Sequence, residues 1–152
     1  MPRATHQGVL RLDDIEIEVA ILDNGQRVIT QVGFMWGLGR IRPPKGRQYR
    51  RSPNLPGFLT MQNLVPFIGE ALVVLANRIE FRTEQGVKAV GYAAHFLPEV
   101  CAVFVRAQQA GVLKVAQRNI AHRAGIIAER LQRSGTTSLI DEATGYRETR
   151  DL

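Results

Sequence analysis

The chain has 152 residues, 45% hydrophobic and 22% charged, with 14 Gly, 7 Pro and one Cys. That is enough apolar material for one folded domain, which excludes disorder as the main state, and the lone Cys101 excludes an intrachain disulfide scaffold. No apolar run approaches the roughly 18 residues of a membrane span, and Met1 to Asp14 holds no hydrophobic signal core. The expectation is a cytoplasmic protein with no membrane partner.

Charge placement says more than charge total. The 20 Lys and Arg exceed the 14 Asp and Glu by six. Arg40, Arg42, Lys45, Arg47, Arg50 and Arg51 fall in one stretch without an acid, so this segment equals the whole excess. A concentrated positive patch attracts polyanions, whereas evenly spread charge mainly aids solubility.

In chain order, Gly8 to Leu12 and Ile15 to Ile21 flank the tight Asp13-Asp14 turn. The second run alternates apolar and acidic residues, the period-two pattern of a half-buried strand with Glu16 and Glu18 facing water. Asp23-Asn24-Gly25 supplies turn residues, and Gln26 to Ile29 returns as a third antiparallel strand. Thr30 is placed to cap a short helix to Leu38, whose residues Val32, Met35, Trp36 and Leu38 suit one packed face. Gly33 and Gly37 weaken that helix.

Residues 40–57 carry Pro43, Pro44, Pro53 and Pro56, which disfavour helix and strand and predict a long loop. Thr60 is expected to cap a helix over Met61 to Ile68, and a further helical run covers Glu70 to Asn77. Ile79 to Thr83 and Val87 to Tyr92 read as a hairpin around Glu84-Gln85-Gly86. An amphipathic helix follows from His95 to Ala110, with Pro98 in its tolerant first turn and Cys101 on its apolar stripe. The last long helix spans Lys114 to Gln132, with Arg118, Arg130 and Arg133 on its polar side. Ser138 and Asp141 have the spacing of a capping box for a terminal helix, with Gly145 as its C-cap. The fold class is therefore α+β, with short antiparallel hairpins packed against amphipathic helices and a helical C-terminal section. Residues 1–112 form an α+β domain bearing the basic Pro-rich loop 40–57, and residues 113–152 form a helical extension packed on it.

The candidate site is the basic loop. Guanidiniums grip phosphates in bidentate fashion, and a proline-stiffened loop loses less entropy on docking. Arg40, Arg42, Lys45, Arg47, Arg50 and Arg51 are the phosphate-contacting candidates, with Tyr49 a stacking candidate. The competing reading is a solvated loop paired with acids such as Glu16 and Glu18. His6, His95 and His122 lack metal-ligand spacing, no nucleotide-loop motif is present, and Glu80, Glu84 and Lys88 suit a cross-strand surface pair better than a nuclease site. No catalytic residue, metal or cofactor is expected.

Three segments carry a family resemblance: Gly33-Phe34 before Leu38-Gly39-Arg40, Lys88-Ala89-Val90-Gly91-Tyr92 before Leu97-Pro98-Glu99-Val100-Cys101, and Leu139-Ile140-Asp141-Glu142-Ala143-Thr144-Gly145-Tyr146. From about Gly8 to Tyr146 the chain resembles phage, prophage and bacterial proteins with the P-sixty-three-C domain, described as antirepressor-like. The segment around Leu38-Gly39 is also similar to the N-terminal domain of Bro-type phage regulators, which are thought to bind DNA. The resemblance implies a phage-derived nucleic-acid-binding or regulatory protein, with DNA as the first-choice partner, and brings no catalytic residues. The alternative is a protein-interaction or oligomerisation module of a phage or host-defence system, a homo-oligomer or partner binder, motivated by the apolar run Leu72-Val73-Val74-Leu75.

Overall fold

The computed structural model describes residues 1–39, 59 and 61–146. Strands β1 (Ala4–Leu12), β2 (Ile15–Leu22) and β3 (Arg27–Thr30) lead into helix α1 (Gln31–Gly37). A 3-10 helix (Gln62–Phe67) and α2 (Glu70–Leu75) precede β4 (Ile79–Arg82) and β5 (Lys88–Ala93). Helices α3 (Phe96–Gln109), α4 (Val115–Ser134) and α5 (Thr136–Thr144) complete the chain. This is the α+β class expected, with a helical C-terminal section.

The five strands form one antiparallel sheet in the order β1-β2-β3-β5-β4. A parallel bridge between Arg3 and Arg82 joins the approach to β1 with the far edge strand β4. There the Arg82 N–H donates to the Pro2 carbonyl at 2.9 Å. The sheet thus curls towards closure at one end, which covers strand edges that would otherwise be free to pair.

Alternation along β2 explains how both faces are used. Ile15, Ile17, Val19 and Ile21 enter the main core, as do Leu10, Leu12 and Ile29. On the opposite face Glu16 and Glu18 are exposed, whereas Ala20 and Leu22 join Ala4, Val28 and Phe81 in a second, smaller cluster. One strand therefore changes from half-buried to buried on both faces as the sheet curls.

The main core is continuous from β1 to α5, and Ile120, Ala124, Ile127, Leu131 and Ile140 of the C-terminal section belong to it. Its centre is aromatic. Phe34 stacks on Phe96 with ring centroids 5.2 Å apart, and Tyr92 lies 4.8 Å from Phe96, so α1, β5 and α3 meet through one cluster.

Helix α1 corrects an expectation. Thr30 caps it as predicted, its hydroxyl accepting the Gly33 N–H at 2.9 Å. However, Val32 and Trp36 face outward, and the side turned to β2 consists of Gly33 and Gly37. A Cβ on Gly33 would lie 2.6 Å from the Glu18 nitrogen, and one on Gly37 would lie 2.7 Å from the Ile17 side chain. The two glycines cost helix propensity, yet they let the helix rest on the strand backbone. That contact rotates Val32 and Trp36 away from the core.

Two further expectations change. The segment expected as a helix over 61–68 is a 3-10 helix of Gln62–Phe67 with Met61 at its N-cap. Pro66 lacks an N–H and restricts its predecessor, which suits a short tight turn; Thr60 lies outside the described residues. Helix α5 begins at Thr136, with Gly135 as the shared corner from α4, so Ser138 and Asp141 sit inside it and form no capping box. Gly145 is the left-handed C-cap as expected.

Asp141 has a long-range role instead. Arg27 of β3 donates from Nε and Nη2 to its two carboxylate oxygens at 2.9 and 2.8 Å. The side chains are only 17% and 25% exposed. Tyr146 lies under the same guanidinium, 5.1 Å from its ring centroid, and meets His6 edge-on. Beside this clasp, α5 crosses β1 so closely that a Cβ on Gly8 would lie 2.3 Å from the Ala143 carbonyl oxygen. The segment Leu139–Tyr146 is thus a docking element.

Removing one partner of a largely shielded, bidentate pair strands the other charge. Asp141→Ala or Arg27→Ala should each cost about 2–3 kcal/mol, and the double replacement less than the sum of the two, read as urea midpoints. Burial pushes the Cys101 thiol up to about 12. Native protein should therefore resist thiol reagents that label it at once in denaturant. Because the folded value is raised, the associated stability is present below the unfolded value near 9 and should be lost as pH rises from there towards 12.

Candidate nucleic-acid interface

The predicted contact residues, Arg40, Arg42, Lys45, Arg47, Tyr49, Arg50 and Arg51, lie outside the described residues. The described residues on either side of them both meet α4.

On the N-terminal side, Gly39 has a positive φ of 87° and lies against Asn119 and Arg123 of α4. Arg123 donates from Nε to the Gly37 carbonyl at 2.9 Å. A guanidinium there satisfies an end carbonyl of α1 and complements the negative end of its dipole. On the C-terminal side, Leu59 and Leu64 are buried in the core, with Met61 packed against it.

Gln117 of α4 holds this second side. It is 4% exposed, and its carbonyl oxygen accepts the Asn63 amide at 2.6 Å and the Lys114 backbone N–H at 2.9 Å. Its amide nitrogen reaches the Met61 sulfur at 3.1 Å. Asn63 also donates to the Val112 carbonyl at 3.0 Å. One buried amide therefore caps the start of α4 and fixes the chain returning from the basic segment.

Between and beside these two anchors, α4 exposes Arg118 and His122, four residues apart and therefore on one side of the helix. Sequence reasoning placed Arg118 on the polar side of this helix, weighed His122 only as a metal ligand, and did not single out Arg123. A histidine or an arginine on a helix carries no mark of which turn will meet a distant loop. The rest of the expected arginine row is accounted for locally: Arg130 pairs with Asp13 at 3.0 Å and Arg133 with Glu129 one turn away. Those two form a solvated face.

The acids are also placed. Glu16 pairs with Arg11 across the β1–β2 hairpin, and Glu80 with Lys88 at 3.3 Å across β4–β5, a diagonal cross-strand pair. His6 contacts Thr5 and Tyr146. Among the described residues no group of three His, Cys, Asp or Glu could hold a metal ion, and no helix is long and apolar enough to cross a membrane. In the run offered as an interaction face, Leu72 is buried and Val74 exposed, so α2 places only part of that run at the surface.

Gln117→Leu keeps the bulk but leaves the Lys114 N–H without its acceptor and the Asn63 amide with the Val112 carbonyl alone. The expected cost is about 1–3 kcal/mol, seen as a lowered melting temperature, with Asn63→Ala adding little to it.

Compared with known proteins, the chain matches no family model, no curated protein and no solved structure.

Proposed function

We propose that this is a phage-derived, antirepressor-like regulatory protein of the P-sixty-three-C type that binds nucleic acid, DNA in the first instance, in the cytoplasm. The observation that carries this reading is the arrangement around α4. The described residues that flank the segment holding the chain's entire excess of positive charge, Gly39 and Met61–Asn63, both rest on that helix.

Anchoring the residues on both sides of a cationic segment reduces the entropy lost on docking. Arg40, Arg42, Lys45, Arg47, Arg50 and Arg51 then act as phosphate ligands, and Tyr49 stacks on a base or rides along a sugar edge. Arg118 and His122 extend the same surface. Arg123 acts as a positioning residue, because its Nε is engaged with the α1 terminus. These contacts supply affinity rather than base readout, so sequence preference is expected to be modest.

Fluorescence anisotropy with labelled double- and single-stranded DNA, titrated across salt, tests the reading. Binding should weaken steeply as salt rises, with a log–log slope of about −0.9 per phosphate contact on duplex DNA. Replacing Arg40, Arg42, Arg47, Arg50 and Arg51 by alanine should flatten that slope by about three to five units. Absence of binding at low salt, or an unchanged slope in the variant, would overturn the proposal. A protein-interaction role rests on a different surface, the outward face of α1.

A further inference from the structure

The exposed face of α1 borders a groove. Val32 and Trp36, one turn apart, are 60% and 53% exposed. They line a concavity of about 390 Å³ with Val9, Asp14, Glu16, Glu18 and Arg123. A second hollow of about 320 Å³ shares Glu18 and Val32 and continues towards Phe81, Thr83 and Lys88, the last paired with Glu80. The two hollows make an elongated depression across the open face of the sheet.

Its chemistry is specific. Three carboxylates face one guanidinium in the first hollow, and that guanidinium is committed to the end of α1. Glu16 shares an exposed ion pair with Arg11, whereas Asp14 and Glu18 have no ion-pair partner among the described residues. An indole with an accessible face beside such carboxylates suits a side chain with an apolar stem and a cationic head. Arginine and lysine fit that description, since the stem covers the ring while the head meets the carboxylate. The first hollow sets three carboxylates against one guanidinium, so a cationic side chain is drawn to it.

We propose that this groove docks an extended, arginine- or lysine-bearing segment of a partner protein, with a cationic side chain seated on Trp36 between Glu16 and Glu18. The elongated form admits a peptide rather than a single ion. Aromatic anchoring supplies affinity and the carboxylates set the preference for cations.

Trp36 is the chain's single tryptophan, so its emission reports on the groove directly. The intact protein is titrated with an oligo-arginine peptide, with oligo-glutamate as control. The expected result is a saturable change in Trp36 emission with the cationic peptide alone. Affinity should fall about fivefold to tenfold in Glu16→Gln/Glu18→Gln, and Trp36→Ala should weaken binding by calorimetry. All three residues are exposed, and melting curves verify that each variant folds. Unchanged emission, or wild-type affinity in the double variant, would overturn the proposal. Self-association by light scattering that disappears in the double variant would assign the groove to a second copy of this chain and overturn it equally.

Discussion

Arg27 and Asp141, 114 residues apart in sequence, hold the C-terminal section onto the sheet. The pair costs desolvation, and its two parallel hydrogen bonds recover that cost only at one geometry. That geometry exists when α5 crosses β1 at Gly8 and Ile140 enters the core. Sliding the helix by one residue would turn Asp141 away from β3 and push Ala143 into the strand. The clasp therefore sets the register of α5, and through the one-residue corner at Gly135 it restrains α4 as well.

Helix α4 ties distant parts of the chain together. Its buried stripe packs on α3, while Gln117 and Arg123 reach the two ends of the basic segment. The same Arg123 closes α1 and borders the acidic groove. Arg118 and His122 are exposed on α4, and Arg123 borders the hollow lined by Asp14, Glu16 and Glu18.

Helix α1 shows how a weak helix becomes a firm one. Its glycines lower its intrinsic stability, and a seven-residue helix is marginal alone. The Thr30 cap, the Arg123 guanidinium and the packing of Phe34 into the aromatic cluster offset that weakness. Close approach to β2 also leaves Trp36 outside, where an indole is free to meet a ligand.

Local pattern was enough to determine much of this fold from the sequence. Alternation marked β2, Glu84-Gln85-Gly86 marked the β4–β5 hairpin, and three-four spacing marked α3 and α4. Each depends on neighbours in the chain, whose geometry the backbone dictates. The basic segment was equally plain, because charge adds up without regard to folding. Tertiary structure decided what required distant partners. Asp141 resembled a first-turn acid until Arg27 was brought to it, and Gln117 was one more polar helical residue until Met61 and Asn63 returned beside it. Periodicity assigned Val32 and Trp36 to the core because it counts side chains. The contact that won is made by the absence of side chains at Gly33 and Gly37, and only the assembled fold shows which backbone comes close enough to need them.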